Sequence, residues 1–440
     1  MTSSKDCPNC GYHNRRESHY CVNCGTRLAE DSPTAAAPSR PYAPPRARRE
    51  KDAAAVAPVV AGGRWQLIDR SGDLVRILPF AYDFNRRSEV DAFREGYARV
   101  RSGNVYGYID KEGRTPIPTL YEGGLHFSEG CVAVKAGWYW CFLDGNGSPV
   151  TPAAFTGATE FREGLAAVQM NGKWGYINHD GDIVHDFIFD YAAPFSEGLA
   201  VVGYGGGYGH INKNGRAVLP ASCREGGALV RYLKTQAYTL AGRAQLLDTE
   251  GAVVTALPFR RAFSFSEGAA VVVMEEKDSS VWKRQYSYRY IDRQGEFLRL
   301  GQLVALGQAG DFSEGIAAMS TGRFVPINVF PPAGSGSLGY YDRLGQCIHP
   351  GSLDEAHPFR EGLARVSYVK NGVRRCGFIS RRGGHTIDYR SEEYTIAGSF
   401  SNGLAPVGRR ERNSWAYGFV NPSGANAIPF RYDWVAGFGV

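Results

Sequence analysis

The segment Phe161–Gly181, FREGLAAVQMNGKWGYINHDG, has close copies on either side: FREGYARVRSGNVYGYIDKEG from Phe93 and FSEGLAVVGYGGGYGHINKNG from Phe195. Phe93, Phe127, Phe161 and Phe195 follow one another at intervals of 34 residues. A period of that length means one supersecondary unit stacked on copies of itself, which restricts the fold to a propeller or a solenoid. It also bears on function. An active site is built once, so a residue that recurs in every copy holds the copies together.

Within one copy, GLAAVQM reads as a short strand, Asn171-Gly172 as a hairpin turn, KWGYIN as a second strand and DIV as a brief third. Each unit is therefore expected to be a three-stranded meander. After the second strand comes a four-residue turn that opens on Asp, Asn or Ser and closes on Gly, the preference of a type I turn. It occurs ten times between Asp69–Gly72 and Asn421–Gly424, Asp248–Gly251 included, which gives about ten units. One acid per turn supplies too few oxygens for calcium. Glu95, Glu129, Glu163, Glu197, Glu267, Glu314 and Glu361 recur in a Phe-x-Glu-Gly element. They are expected to accept backbone N–H groups at that turn rather than to catalyse. Glycine in mid-strand, as at Gly107, Gly175 and Gly209, marks close approach of a neighbouring backbone or ring.

Phe195 and Phe265 are 70 residues apart, which reads as two periods with a worn copy around 223–243. Ten units exceed the roughly four to eight blades of one propeller. Yet the two ends are complementary in part, because Phe438 follows Tyr417 at the offset by which Phe127 follows Tyr106. Both a propeller-like ring and an open superhelix fit.

Ahead of the repeats lies Cys7-x2-Cys10, then Cys21-x2-Cys24 after ten residues. Four thiolates at this spacing surround one tetrahedral zinc at about 2.3 Å, and zinc supplies the folding energy that so short a segment lacks. A complete set of four cysteines leaves no role as ligands for His13 and His19 and no open position for a catalytic water. Residues 29–61 are Ala/Pro/Arg-rich without periodicity and read as a linker. The expected division is a zinc ribbon at 1–28, the linker at 29–61 and the repeat array at 62–440.

From Trp65 to Val440 the chain resembles the WG repeat proteins, named for the Trp-Gly of units such as Trp174-Gly175. Residues 7–28 resemble the small zinc ribbons at the start of many bacterial proteins. The first resemblance implies an all-β repeat scaffold, mostly bacterial, with binding roles and no shared catalytic residues. Gln66, Cys141, Gln245 and Arg289 depart from it by replacing the glycine.

The net charge is +6, and residues 1–64, with ten Lys/Arg against six Asp/Glu, carry most of it. Attraction for nucleic acid would therefore act through residues 1–61. No apolar run approaches the eighteen or so residues of a membrane span, and no secretory segment opens the chain. Four of nine cysteines are clustered and five scattered, which fits a reducing, cytoplasmic setting.

Function is expected where the repeats are irregular. The loop between the first two strands lengthens at 274–287, 320–337, 368–375 and 408–416. Loops at one place in successive units project from one edge. They carry Trp282, Lys283, Arg284, Arg374, Arg375, Arg409, Arg410, Arg412 and Trp415, and Arg beside Trp is the composition of interface hot spots. The leading expectation is a non-enzymatic interaction scaffold that binds a protein partner, with the zinc ribbon as a second binding module. The alternatives are nucleic-acid association through ribbon and linker, or a carbohydrate-active enzyme. An enzyme needs convergent acids that occur once; Asp186, Asp311 and Asp354 depart from the repeat, with nothing to link them. No catalytic residue is assigned. Cys347, His349, His357, Cys376 and His385 match no metal-ligand spacing.

Overall fold

The computed structural model describes residues 4–6, 13–15, 55–82, 89–218, 258–276, 285–300, 308–320, 338–412 and 414–438. Every regular element among them is a β-strand. Beyond a two-stranded hairpin, Ser4–Asp6 with His13–Arg15, the strands form eight antiparallel sheets, and the seven-stranded one carries two repeat units. The described residues thus form nine units.

Unit 4 shows the plan. Its strands are Gly157–Ala158, Ala166–Met170, Lys173–Ile177 and Ile183–Phe189, paired in chain order. The meander read from the sequence is there, preceded by a two-residue strand before the Phe-x-Glu-Gly turn. The fourth strand runs almost directly into the first strand of the next unit, Tyr191–Ala192. Between units 7 and 8 the two are one strand, Cys347–Ala356, which pairs on one side with Leu338–Asp342 and on the other with Leu363–Lys370.

The two central strands of each sheet are buried on both faces, so they are near-continuous apolar runs and not simple alternations. Tyr176 and Trp174 pack toward unit 5, against Phe195 and Ala200, while Ile177 packs toward unit 3, against Phe142 and Phe155. Among the described residues there are nine such clusters, and each is shared by two consecutive units. One joins the last unit to the first, with Leu404, Phe419 and Ile428 against Ala57, Val59 and Ile68. The array is therefore a closed, propeller-like ring.

Closure uses both ends of the described array. Unit 1 consists of Ala57–Ala61, Arg64–Ile68 and Leu74–Ala81, and its remaining strand is Trp434-Val435 from the far end. Val59 pairs with Val435 and Val60 with Trp434. Phe438 is buried beside them, where each other unit buries the Phe of its own turn. Ala57–Ala61 lies inside the segment that the sequence reading gave to the linker, so the array reaches further toward the N-terminus than residue 62.

The ring passes directly from the unit of Phe195 to that of Phe265. Ser196 Oγ donates to the Phe265 carbonyl at 2.7 Å, as Ser128 Oγ does to Phe161 one unit on. Val218 and Phe259 both pair with the strand Gly207–Asn212. The chain thus leaves and re-enters one sheet, and the unit read at Asp248–Gly251 falls outside the described residues. This corrects the spacing argument, which placed a further copy between these neighbours.

Two repeated features act as the sequence suggests. Asp144 Oδ1 accepts the amides of Asn146 and Ser148 at 2.9 and 2.8 Å, and Gly147 closes the turn at φ 81°, so these acids serve turns and not calcium. A Cβ on Gly175 would lie 2.6 Å from the His185 carbonyl of the fourth strand, which names the backbone that demands glycine there. Cys141 and Arg289, which replace this glycine, stand in the two three-stranded sheets, where the fourth strand is reduced to isolated bridges.

Candidate functional site

Antiparallel meanders put the second-to-third hairpins of all units on one edge of the ring and the Phe-x-Glu-Gly and Asp/Asn turns on the other. The lengthened loops belong to the hairpin edge, as expected. On that edge one column of residues, in the hairpin half of each third strand, is aromatic in seven units: Trp65, Tyr106, Trp140, Trp174, Tyr208, Tyr288 and Tyr417. In units 7 and 8 the same position holds Leu338 and Cys376.

A cavity of about 630 Å³ opens there. Its walls include both Leu338 and Cys376, together with Glu355, His357, Arg365 and Ser367. Tyr394, Thr395 and Ile396 of unit 9 also line it. The rings that fill this space elsewhere are missing from two successive units. The signal was legible in the aligned repeats, but it consists of what two copies lack.

Charges inside are held unequally. Arg365 donates to His357 Nε2 at 2.8 Å and to the Ile396 carbonyl at 3.2 Å. Burial, with Arg365 adding to it, pushes the His357 pKa down, so the imidazole accepts as a neutral ring. Arg375 is paired with Asp388. Burial alone would raise that carboxyl, but hydrogen bonds from Arg375 and Tyr368 hold it low. Burial pushes the Cys376 thiol up, so it stands protonated as a wall atom and not as a nucleophile.

The residues singled out from sequence fall into three groups. Arg374 and Arg375 line the cavity. Arg409 pairs in register with the wall residue Tyr394 and lies over the Phe430 ring, its carbon 5.0 Å from the centroid. Arg410 and Trp415 face each other across the next hairpin, with exposed Arg412 at its tip. Trp282, Lys283 and Arg284 lie outside the described residues, as do Cys7, Cys10, Cys21 and Cys24. The described hairpin, Ser4–Asp6 with His13–Arg15, brackets Cys7 and Cys10, and four thiolate donors suit zinc.

Sequence reasoning missed Trp138, which sits on the same edge at the tip of the unit 3 hairpin and is 86% exposed. It also missed His179, whose Nε2 meets Glu129 at 3.1 Å while Nδ1 meets Cys131 Sγ at 3.8 Å. Cys131 is 2% exposed, so no substrate reaches its sulfur. The late Cys/His group is dispersed: His349 stacks edge-on with His385, His357 and Cys376 line the cavity, and Cys347 is exposed. Among the described residues no three His, Cys, Asp or Glu converge as a metal site. Asp354 lines the cavity, whereas Asp186 stands in unit 4 and Asp311 in unit 7.

The model of the WG containing repeat matches residues 67–106, 106–137, 140–174, 174–208, 339–372 and 417–439, all within the ring. WG repeats recur around the ring. A zinc-ribbon domain model matches residues 7–28, ahead of the WG ring. No curated protein matches the sequence. Among solved structures the WG ring is similar to a eukaryotic initiation factor at 8% identity and a TM-score of 0.53, over 87% of this chain and 97% of that one. The dihydro-heme d1 dehydrogenase NirN is similar at 13% identity and a TM-score of 0.41, over 82% and 77%. At 8% identity the likeness to the initiation factor concerns the fold alone. Among the described residues no helix is long and apolar enough to cross a membrane.

Proposed function

We propose that the protein is a non-enzymatic interaction scaffold whose WG ring binds a protein partner along the hairpin edge. The zinc ribbon, folded around one structural zinc on Cys7, Cys10, Cys21 and Cys24, is a second binding module on a tether, in the cytoplasm. One observation carries the reading. The cavity at units 7 to 9, lined by Arg374, opens on the edge that also carries Arg410, Arg412 and Trp415 on the next hairpin, so a recess and residues of hot-spot type share one edge. Trp138 extends the same edge with a large exposed ring.

The test is capture and cross-linking of partners by the full-length chain and by a variant with Arg374, Arg410, Arg412 and Trp415 changed to Ala. One protein cross-linked to the hairpin edge of the parent and lost from the variant is the expected outcome. Retained nucleic acid that disappears on removal of residues 1–54 would assign recognition to the ribbon and linker instead. That truncation spares Ala57–Ala61, which a cut at residue 62 would delete from the ring.

A further inference from the structure

Unit 2 is an internal control for the cavity, because it has arginine at the position of Arg365. There, Arg99 is ion-paired with Asp91 at 2.8 Å and donates to the Gly124 carbonyl at 2.7 Å. The Tyr106 ring lies against Arg99 and against Arg101, 5.4 and 5.5 Å from their guanidinium carbons. Arg101 in turn meets Glu89 at 3.7 Å. Every charge has its opposite and the ring fills the space.

Unit 8 keeps the cation and loses what satisfies it. The equivalents, by distance from the Phe of the turn and by strand register, are His357 for Asp91, Ser367 for Arg101 and Cys376 for Tyr106. Glu355 stands for Glu89. Arg365 is left with a neutral imidazole and a carbonyl, and Glu355 faces a serine where its counterpart faces arginine. Three substitutions have thus removed one ring, one carboxylate and one cation from a single walled space of about 630 Å³, a size typical of ligand sites.

Resting on the reading of the ring as receptor for a protein, we infer that this cavity takes an aromatic side chain of the partner, flanked by an acidic residue. The ring occupies the place that Tyr106 fills in unit 2, and the neighbouring carboxylate pairs with Arg365 as Asp91 does with Arg99. A peptide N–H of the same segment donates to Glu355. The occupant supplies in trans what the repeat supplies in cis, and the arginines at the mouth favour an acidic segment on approach.

The experiment is selection of random twelve-residue peptides, displayed on phage, against the full-length chain. Parallel selections use Cys376→Tyr, which restores the ring, and His357→Asp, which restores the ion pair. Both changes return unit 8 to residues that unit 2 already accommodates, and melting temperature checks that each variant is folded. The expected result is enrichment of sequences with an aromatic residue next to Asp or Glu, and at least tenfold weaker binding of the synthetic peptides to either variant. No enrichment, or peptides that bind both variants as they bind the parent, overturns the inference. Phenylacetate binding more tightly than the best peptide overturns the assignment to a protein segment in favour of a free aryl carboxylate. A partner lost from the rim variant yet retained by Cys376→Tyr sinks this inference alone and leaves the receptor reading standing.

Discussion

Glu129 reaches from its own turn to the turn of the next unit, where its carboxylate accepts the backbone amide of Glu163 at 2.5 Å. Its other oxygen accepts the amide of Gly164 at 2.9 Å. Glu95 serves Glu129 and Gly130 in the same way, and Glu361 serves Asn402 and Gly403. The donors face the acceptor because each of these glutamates sits at a left-handed φ near 55°, which any residue but glycine adopts at a cost. The strain of one turn is offset by the carboxylate of the preceding one.

Glu129→Gln should therefore destabilise the ring by about 1–3 kcal/mol, since one acceptor oxygen becomes a donor that confronts an N–H. Chemical denaturation measures this. A change within about 0.5 kcal/mol, the scale of ordinary surface substitutions, would mean that the ladder contributes nothing.

Ring closure gives a second expectation. Val435 is 3% exposed and pairs with Val59. Val435→Asp buries an unpaired charge in the seam and should cost about 3–5 kcal/mol locally. Hydrogen exchange at Ala57–Ala61 should accelerate while Ala166–Ile177, across the ring, keeps its protection. Equal acceleration at both would show that the ring has no separate seam.

Acid should weaken the protein through His210. In units 2, 4, 6 and 7 a tyrosine hydroxyl, such as that of Tyr176, donates to a carbonyl of the next unit, here Ala193 at 2.8 Å. In unit 5 His210 Nε2 does so, to Phe263 at 2.8 Å. Burial lowers its pKa to about 4. The unfolded imidazole titrates near 6.5, so the unfolded state takes up the proton first. This stability is fully present above about pH 6.5 and falls, by on the order of 3 kcal/mol, as pH drops toward 4. Burial also pushes down His126, His185, His357 and His385, which steepens the same limb. His210→Tyr should make the decline between neutral and acid pH shallower. Identical pH profiles for parent and variant would remove His210 from the explanation.

Gly175→Ala should cost about 1–3 kcal/mol, because the added carbon meets the His185 carbonyl, an atom fixed by its strand. Unfolding titration of the variant decides it; a neutral result would mean that the fourth strand yields.

What the sequence made legible was whatever recurs. The Asp-to-Gly turns, the mid-strand glycines and the glutamates repeat often enough to be assigned as scaffold, and the glutamates do accept backbone amides, though from the next unit rather than their own. Glu89-Val90 and its equivalents are too short to show a period, so the first strand of each unit went unread. Ala57–Ala61 adjoins an Ala/Pro-rich stretch and resembles it in composition, and its partner strand lies at the other end of the chain. The direct contact between the units of Phe195 and Phe265 is a tertiary fact, which a regular spacing of 70 residues concealed. The arginine–tryptophan edge was legible, but the cavity was not, because Leu338 and Cys376 are unremarkable until seven rings are seen beside them.

The shared first sheet sets a timetable for synthesis. As the chain leaves the ribosome, units 2 to 8 can stack on one another in order, each capping the last. Ala57–Ala61 must wait for Trp434-Val435, so one of its edges stays unpaired until nearly the whole array has emerged. During that interval the nascent arc has two open ends, each able to pair with the wrong chain. The cell has to shelter the first-made strand until the last-made one arrives.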